Sequence, residues 1–184
     1  ALAQILKISA WHKATDMFGP IPYKEAGKGL ITVPYDSQED VYKAMFEELT
    51  AAIDVLTRYA DNGTTLLLPK ADAVYGGDVH KWVVYANSLM LRLAMRVYYA
   101  DQDLSKKYAM QAINHPYGVM RAKADEAKMD RGAGLVFQNN LDVLINQYNE
   151  CRMGSSMLAY LGGYQDPRLE KYFTTSTLPQ AVSV

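Results

Sequence analysis

Two runs of apolar residues at helical spacing constrain this chain more than any other feature in it. Val41, Met45, Leu49, Ala52 and Leu56 step by four, four, three and four, which lines one face of an α-helix. Trp82, Ala86, Leu89, Leu93 and Val97 repeat the pattern, and Val83, Met90, Leu91, Ala94 and Met95 make most of the remaining circumference apolar as well. A helix that is greasy on most sides needs neighbours on most sides, so the second run is expected at the centre of a helical core. Ser37 and Asp40 have the spacing of a capping box, Asp61-Asn62-Gly63-Thr64-Thr65 stops the first helix, and Asp78 caps the second. Asp101-Gln102-Asp103 then turns the chain into a shorter helix through Leu104, Tyr108, Ala109, Ala112 and Ile113, ending near His115-Pro116. Two helices joined by so short a turn form a helical hairpin, and the fold class is all-α.

Ahead of these helices, Leu2, Ile5, Leu6 and Ser9 fall on one face of an opening helix. It is broken by Asp16-Met17-Phe18-Gly19-Pro20-Ile21-Pro22-Tyr23. Gly19 supplies backbone freedom, while Pro20 and Pro22 fix φ and push the residues before them toward extended geometry, so the segment leaves the helix as a rigid strap. Gly27-Lys28-Gly29 marks a loop, and a second loop runs from Leu66-Leu67-Leu68-Pro69 to Gly76-Gly77. Between Tyr117 and Asn140 periodicity lapses and long irregular structure is expected. Leu141–Tyr148 and Met153–Leu161 read as short helices, the latter closed by Gly162-Gly163. Asp166 as cap, with Pro167 in the first turn, starts a last helix through Leu169, Tyr172 and Phe173.

Nineteen basic against twenty acidic residues leave a formal charge of −1, which gives no electrostatic footprint for nucleic acid or anionic lipid. Fourteen tyrosines against four phenylalanines and two tryptophans favour aromatics with a polar tip. Such rings suit sugar stacking and helix packing equally, and packing is the expectation for any one of them. Cys151 is the single cysteine, so there is no intramolecular disulfide and no thiolate metal cluster; it reads as a small buried hydrophobe. No apolar run reaches the roughly twenty residues that span a bilayer, and no signal-like segment opens the chain. Its first residues read as the interior of a helix, so the sequence is expected to be a piece of a longer protein.

Chemistry-bearing sets are sparse. His12 and Asp16 stand four apart on the first helix, but one histidine and one carboxylate make no metal site, and the reading preferred is that Asp16 braces the Gly19 turn while His12 packs. His80 and His115 lie at helix ends without a partner at ligand spacing. Arg92 and Arg96 share an edge with Ser88 and Tyr85, and are expected to be buried or half-buried guanidiniums bonded to carboxylates or carbonyls of adjacent helices. The acidic residues cluster at helix starts and exposed faces, no motif for a nucleophile or a phosphate cradle is present, and no enzyme, metal or cofactor is expected. Tyr117, Asn139, Asn140 and Tyr148 flank the long irregular segment and combine aromatic faces with amides, which makes them the candidate ligand contacts.

The strap resembles the Asp-x-(aromatic)-Gly-x-(Ile/Val)-Pro segment of the SusD/RagB group of outer-membrane nutrient-binding lipoproteins. The resemblance continues through Tyr23-Lys24-Glu25-Ala26, Tyr35-Asp36-Ser37-Gln38-Glu39-Asp40-Val41-Tyr42, Gly76-Gly77-Asp78 with Lys81-Trp82, the run Ala86 to Arg96, and Asp166-Pro167-Arg168-Leu169. It rests on Asp16, Gly19, Pro20, Pro22, Trp82, Arg92, Arg96, Asp166, Pro167 and Arg168 in that order and spacing. The resemblance implies a mainly helical SusD-like fold with tetratricopeptide-like helical hairpins and long irregular loops, residues 1–184 forming part of a single SusD-like domain with N- and C-terminal parts missing. It further implies a surface-exposed outer-membrane lipoprotein, anchored by a lipid outside this sequence. Its work would be to bind an oligosaccharide or similar nutrient without catalysis and deliver it to a SusC-like TonB-dependent transporter. The alternatives are a helical-repeat scaffold that binds another protein and, behind it, a glycoside hydrolase.

Overall fold

The apolar stripes do assemble helices. The computed structural model describes residues 1–129, 140–148 and 150–173, which fall into two compact units, Ala1–Ala133 and Gly134–Val184. The first unit holds α1 (Leu2–Phe18), α2 (Gln38–Asp61), α3 (Val79–Arg96) and α4 (Gln102–Ile113). α3 packs against both α2 and α4, and α1 packs on α2 and α3. Among the described residues extended pairing is limited to two isolated bridges, Ile21 with Asp36 and Leu66 with Asp78.

The core is the sum of the expected stripes. Val41, Met45, Leu49, Ala52 and Leu56 of α2 are buried against Trp82, Val83, Ala86, Leu89, Met90, Leu93 and Ala94 of α3. Tyr108 of α4 closes the layer, its ring stacked on Phe46 with centroids 4.1 Å apart. The helix starts are capped as the sequence indicates. Ser37 Oγ accepts from Asp40 N at 3.1 Å, Asp78 Oδ1 from Lys81 N at 3.0 Å, and Asp101 Oδ1 from Leu104 N at 2.9 Å. Met95 departs from the expectation and is exposed, because α3 meets neighbours on α1, α2 and α4 and leaves one edge to solvent.

α1 differs in detail. Its buried stripe is Ile5, Ile8, His12 and Thr15, and Leu6 is exposed because it lies about 100° round the helix from Ile5. His12 packs as expected: its Nδ1 donates to Ile8 O at 3.1 Å, which leaves the buried Nε2 without a hydrogen-bond partner. Gly19 then takes φ 73°, with no atom within 4 Å of where a Cβ would stand, so the demand for glycine here is conformational and not spatial. Thr15 Oγ1 donates to Gly19 O at 2.7 Å and holds the turn. The strap returns to α2 where Asp36 Oδ2 accepts the backbone N–H groups of Tyr23 and Lys24 at 2.9 and 2.8 Å.

The loop before α3 is organised by a residue that no periodicity marks. Asp72 accepts from Val74 N, Tyr75 N and Gly77 N at 2.9, 3.1 and 2.8 Å, and from the Trp82 indole at 2.6 Å. Burial raises the Asp72 pKa, but these hydrogen bonds outweigh it and hold the carboxyl below its ordinary value. Gly77, at φ 85°, has no room for a side chain, since a Cβ would lie 2.4 Å from Leu67 O.

In the second unit a helical turn, α5 (Asn140–Asp142), continues as a π-helical turn over Val143–Gln147, followed by α6 (Ser155–Gly163) and α7 (Leu169–Tyr172). Asp166 takes the Arg168 backbone N–H at 2.9 Å and its guanidinium together, which draws the Asp166 pKa down to about 2; α7 begins at Leu169, beyond Pro167. Cys151 is exposed rather than buried, because it stands in the irregular segment before α6 and on no helix face.

Candidate functional site

The short segment after α4 is laid onto α3 by side chains that the helix presents at successive positions. Asn87, buried, donates its amide to Gly118 O at 2.9 Å, and Ser88 Oγ accepts Met120 N at 2.8 Å. Tyr75 anchors the far end by donating to Asp125 O at 2.9 Å. His115 Nδ1 accepts Tyr117 N at 3.2 Å, so Nε2 carries the proton and donates to Thr57 Oγ1 at 3.2 Å. Burial lowers the His115 pKa, which keeps this neutral tautomer in place.

These contacts leave a cleft of about 320 Å³ between the start of α3 and the 113–125 segment. Val84, Ile113, Pro116 and Val119 give it apolar lining, and His80, Lys81, His115, Tyr117, Arg121 and Asp125 give it polar lining. Tyr117 is half-buried, with the His80 ring edge-on to it at 4.7 Å. Its hydroxyl donates to Asp61 Oδ1 at 2.8 Å, and that carboxylate holds the phenol above its ordinary pKa. Asp125 Oδ2 accepts Arg121 N and Ala122 N at 2.8 and 2.9 Å; these bonds, against a small burial penalty, lower its pKa. The two histidines that look isolated in sequence are thus brought to either side of Tyr117, something only the tertiary fold supplies.

Of the remaining candidates, Asn140 and Tyr148 belong to the second unit, both exposed, while the cleft is built entirely from the first. Asn139 lies outside the described residues. His12 and Asp16 are not partners. Nor does Asp16 brace the Gly19 turn, which Thr15 holds; its carboxylate reaches α2 and α3, accepting from Tyr42 Oη at 2.5 Å and Arg96 Nε at 2.7 Å. Burial and the Asp16 bond push the Tyr42 phenol up to about 12. A second cleft of about 430 Å³ opens over this group, between Gln38, Glu39 and the α3–α4 turn. Arg96 is therefore ion-paired as expected, but both arginines are exposed rather than buried or half-buried, and Arg92, on the free edge of α3, has no side-chain hydrogen bond or ion pair among the described residues.

The described residues contain no cluster of His, Cys, Asp or Glu arranged for a metal ion, and no described helix is long and apolar enough to cross a membrane. The expectation that most tyrosines pack is only partly met. Tyr23, Tyr42 and Tyr108 are buried, but Tyr35, Tyr59, Tyr98, Tyr99, Tyr148, Tyr160, Tyr164 and Tyr172 are exposed, because their positions fall on outer helix faces and turns.

Comparison with known proteins places this architecture. No curated protein matches. Among solved structures, a chitin-binding SusD homologue from Flavobacterium johnsoniae is 38% identical, with a TM-score of 0.88 over 96% of this chain and 36% of its own. A SusD homologue from Bacteroides uniformis is 40% identical, with a TM-score of 0.82 over 97% of this chain and 37% of its own. One from Bacteroides vulgatus is 34% identical, with a TM-score of 0.86 over 97% and 35%. The chain thus spans about a third of the length of these structures. The family model for SusD-like proteins, described as Susd and RagB outer membrane lipoprotein, matches residues 1–183, and the chain belongs to that family.

Proposed function

We propose that this chain is part of a surface-exposed outer-membrane lipoprotein that binds a glycan, or a comparable polar nutrient, and passes it unchanged to a SusC-like TonB-dependent transporter. The chain is read as one portion of a single SusD-like domain, anchored to the membrane by a lipid outside this sequence. The observation that carries the reading is the likeness, over nearly the full chain, to a homologue that binds chitin.

The Tyr117 cleft supports it with chemistry. An aromatic ring covers the CH face of a sugar, and nearby hydrogen-bonding groups satisfy its hydroxyls. Tyr117 is the proposed stacking surface of this cleft; Asn140 and Tyr148, within the second unit, are proposed as ligand contacts in their own right. The test is calorimetry of the full-length protein against a glycan panel, with chromatography of the recovered sugars. Binding with sugars recovered intact supports the proposal. Shortened sugars would make the protein a hydrolase, and no heat with any glycan would reject the nutrient reading.

A further inference from the structure

The Tyr117 cleft is aromatic on one side and cationic on another. The fixed cations Lys81 and Arg121 line it beside the His80 ring, with one carboxylate, Asp125, among the described lining residues. That carboxylate is committed: Oδ2 receives two backbone N–H groups, and its charge acts on Lys81 and His80. Arg121 is what remains. Its side chain is exposed at the cleft and has no hydrogen bond or ion pair among the described residues. A guanidinium offers a planar fork of donors that matches a carboxylate or sulfate oxygen pair, which a neutral sugar cannot present.

We propose that the cleft selects an acidic saccharide, a uronate or a sulfate ester, with its ring on Tyr117 and its anionic group on Arg121. This rests on the glycan-binding reading and narrows its ligand class. A neutral oligosaccharide would use the aromatic wall and leave the guanidinium in water, gaining nothing from it. The interaction is partly exposed, so salt should weaken it.

The experiment is titration calorimetry of the full-length protein, at low and at high salt, with three oligosaccharides of matched length: one from chitin, one from polygalacturonate and one from a sulfated galactan. At least one acidic ligand is expected to bind about tenfold more tightly than the chitin oligosaccharide, with the advantage shrinking in salt. Arg121→Gln, a change at an exposed position, should remove that advantage. The two acidic arms tell carboxylate from sulfate recognition. Neutral binding equal to or tighter than both acids would overturn this inference and leave the glycan-binding reading standing. An acidic advantage that survives Arg121→Gln in a folded protein would overturn the assignment to this cleft. Silence with all three ligands, while another glycan of the wider panel binds, would overturn this inference and leave the glycan-binding reading standing.

Discussion

Asp72 shows how much one side chain can organise. Three backbone N–H groups and the Trp82 indole converge on its carboxylate, so Asp72→Ala leaves four donors to find other partners in half-buried surroundings. A loss of about 2 to 4 kcal/mol in unfolding free energy is expected, read from denaturant titration; an unmoved midpoint would mean that water replaces the carboxylate at little cost. Because the folded-state pKa of Asp72 is lowered, its contribution is present above the unfolded value and is lost as pH falls through the folded one. The two strained glycines divide by cause. Gly77→Ala meets the Leu67 carbonyl as well as an unfavourable φ, while Gly19→Ala meets the unfavourable φ alone. Gly77→Ala should therefore destabilise by several kcal/mol and Gly19→Ala by about 1 kcal/mol, and similar costs in a paired thermal melt would contradict the contrast. Gly19 is legible in sequence because Pro20 and Pro22 follow it. Asp72 is not, because its four donors belong to a loop whose shape no spacing rule records.

α3 is the element on which the first unit depends. Trp82→Ala removes a buried indole packed edge-on to Tyr75 and Tyr85 and bonded to Asp72, and about 3 to 5 kcal/mol of destabilisation is expected; a smaller loss than about 1 kcal/mol would mean that the side chain is not packed there. The stripes of α2 and α3 were legible because their apolar spacing is regular over four turns. α1 was less so, since polar and apolar residues alternate round it and Leu6 is as apolar as the Ile5 that is buried. The ion pair of Arg96 was legible as a type of contact, but its partner Asp16, eighty positions away, was fixed only by how α1 crosses α3. Where α4 ends, His115 ties the site segment to α2. Its folded-state pKa lies below the unfolded value, so the stability it adds is present above about pH 6.5 and declines as pH falls through the folded value. His115→Gln should flatten the fall in melting temperature between about pH 7.5 and pH 5, and an unchanged slope would show that other groups carry it.

The first unit is a group of packed helices whose cleft comes from a segment with no readable periodicity. Family membership and helical class were accessible from ordered motifs along the chain. The cleft was not, because it joins His80 from one helix start with His115 and Tyr117 from another helix end. Sequence could name Tyr117 as an aromatic beside an irregular stretch, but not the histidines, which only the α3–α4 hairpin brings together. Among the described residues eight tyrosines are exposed, more than a packing expectation allows, and such faces would suit the binding role proposed above. The most direct test is a pair of substitutions at one position, measured by calorimetry with a glycan that the full-length protein binds. Tyr117→Phe keeps the ring and removes the hydroxyl that donates to Asp61, and should bind within about threefold of the parent; Tyr117→Ala should weaken binding about tenfold or more while the protein stays folded. A folded Tyr117→Ala protein that binds the glycan as the parent does would contradict the account.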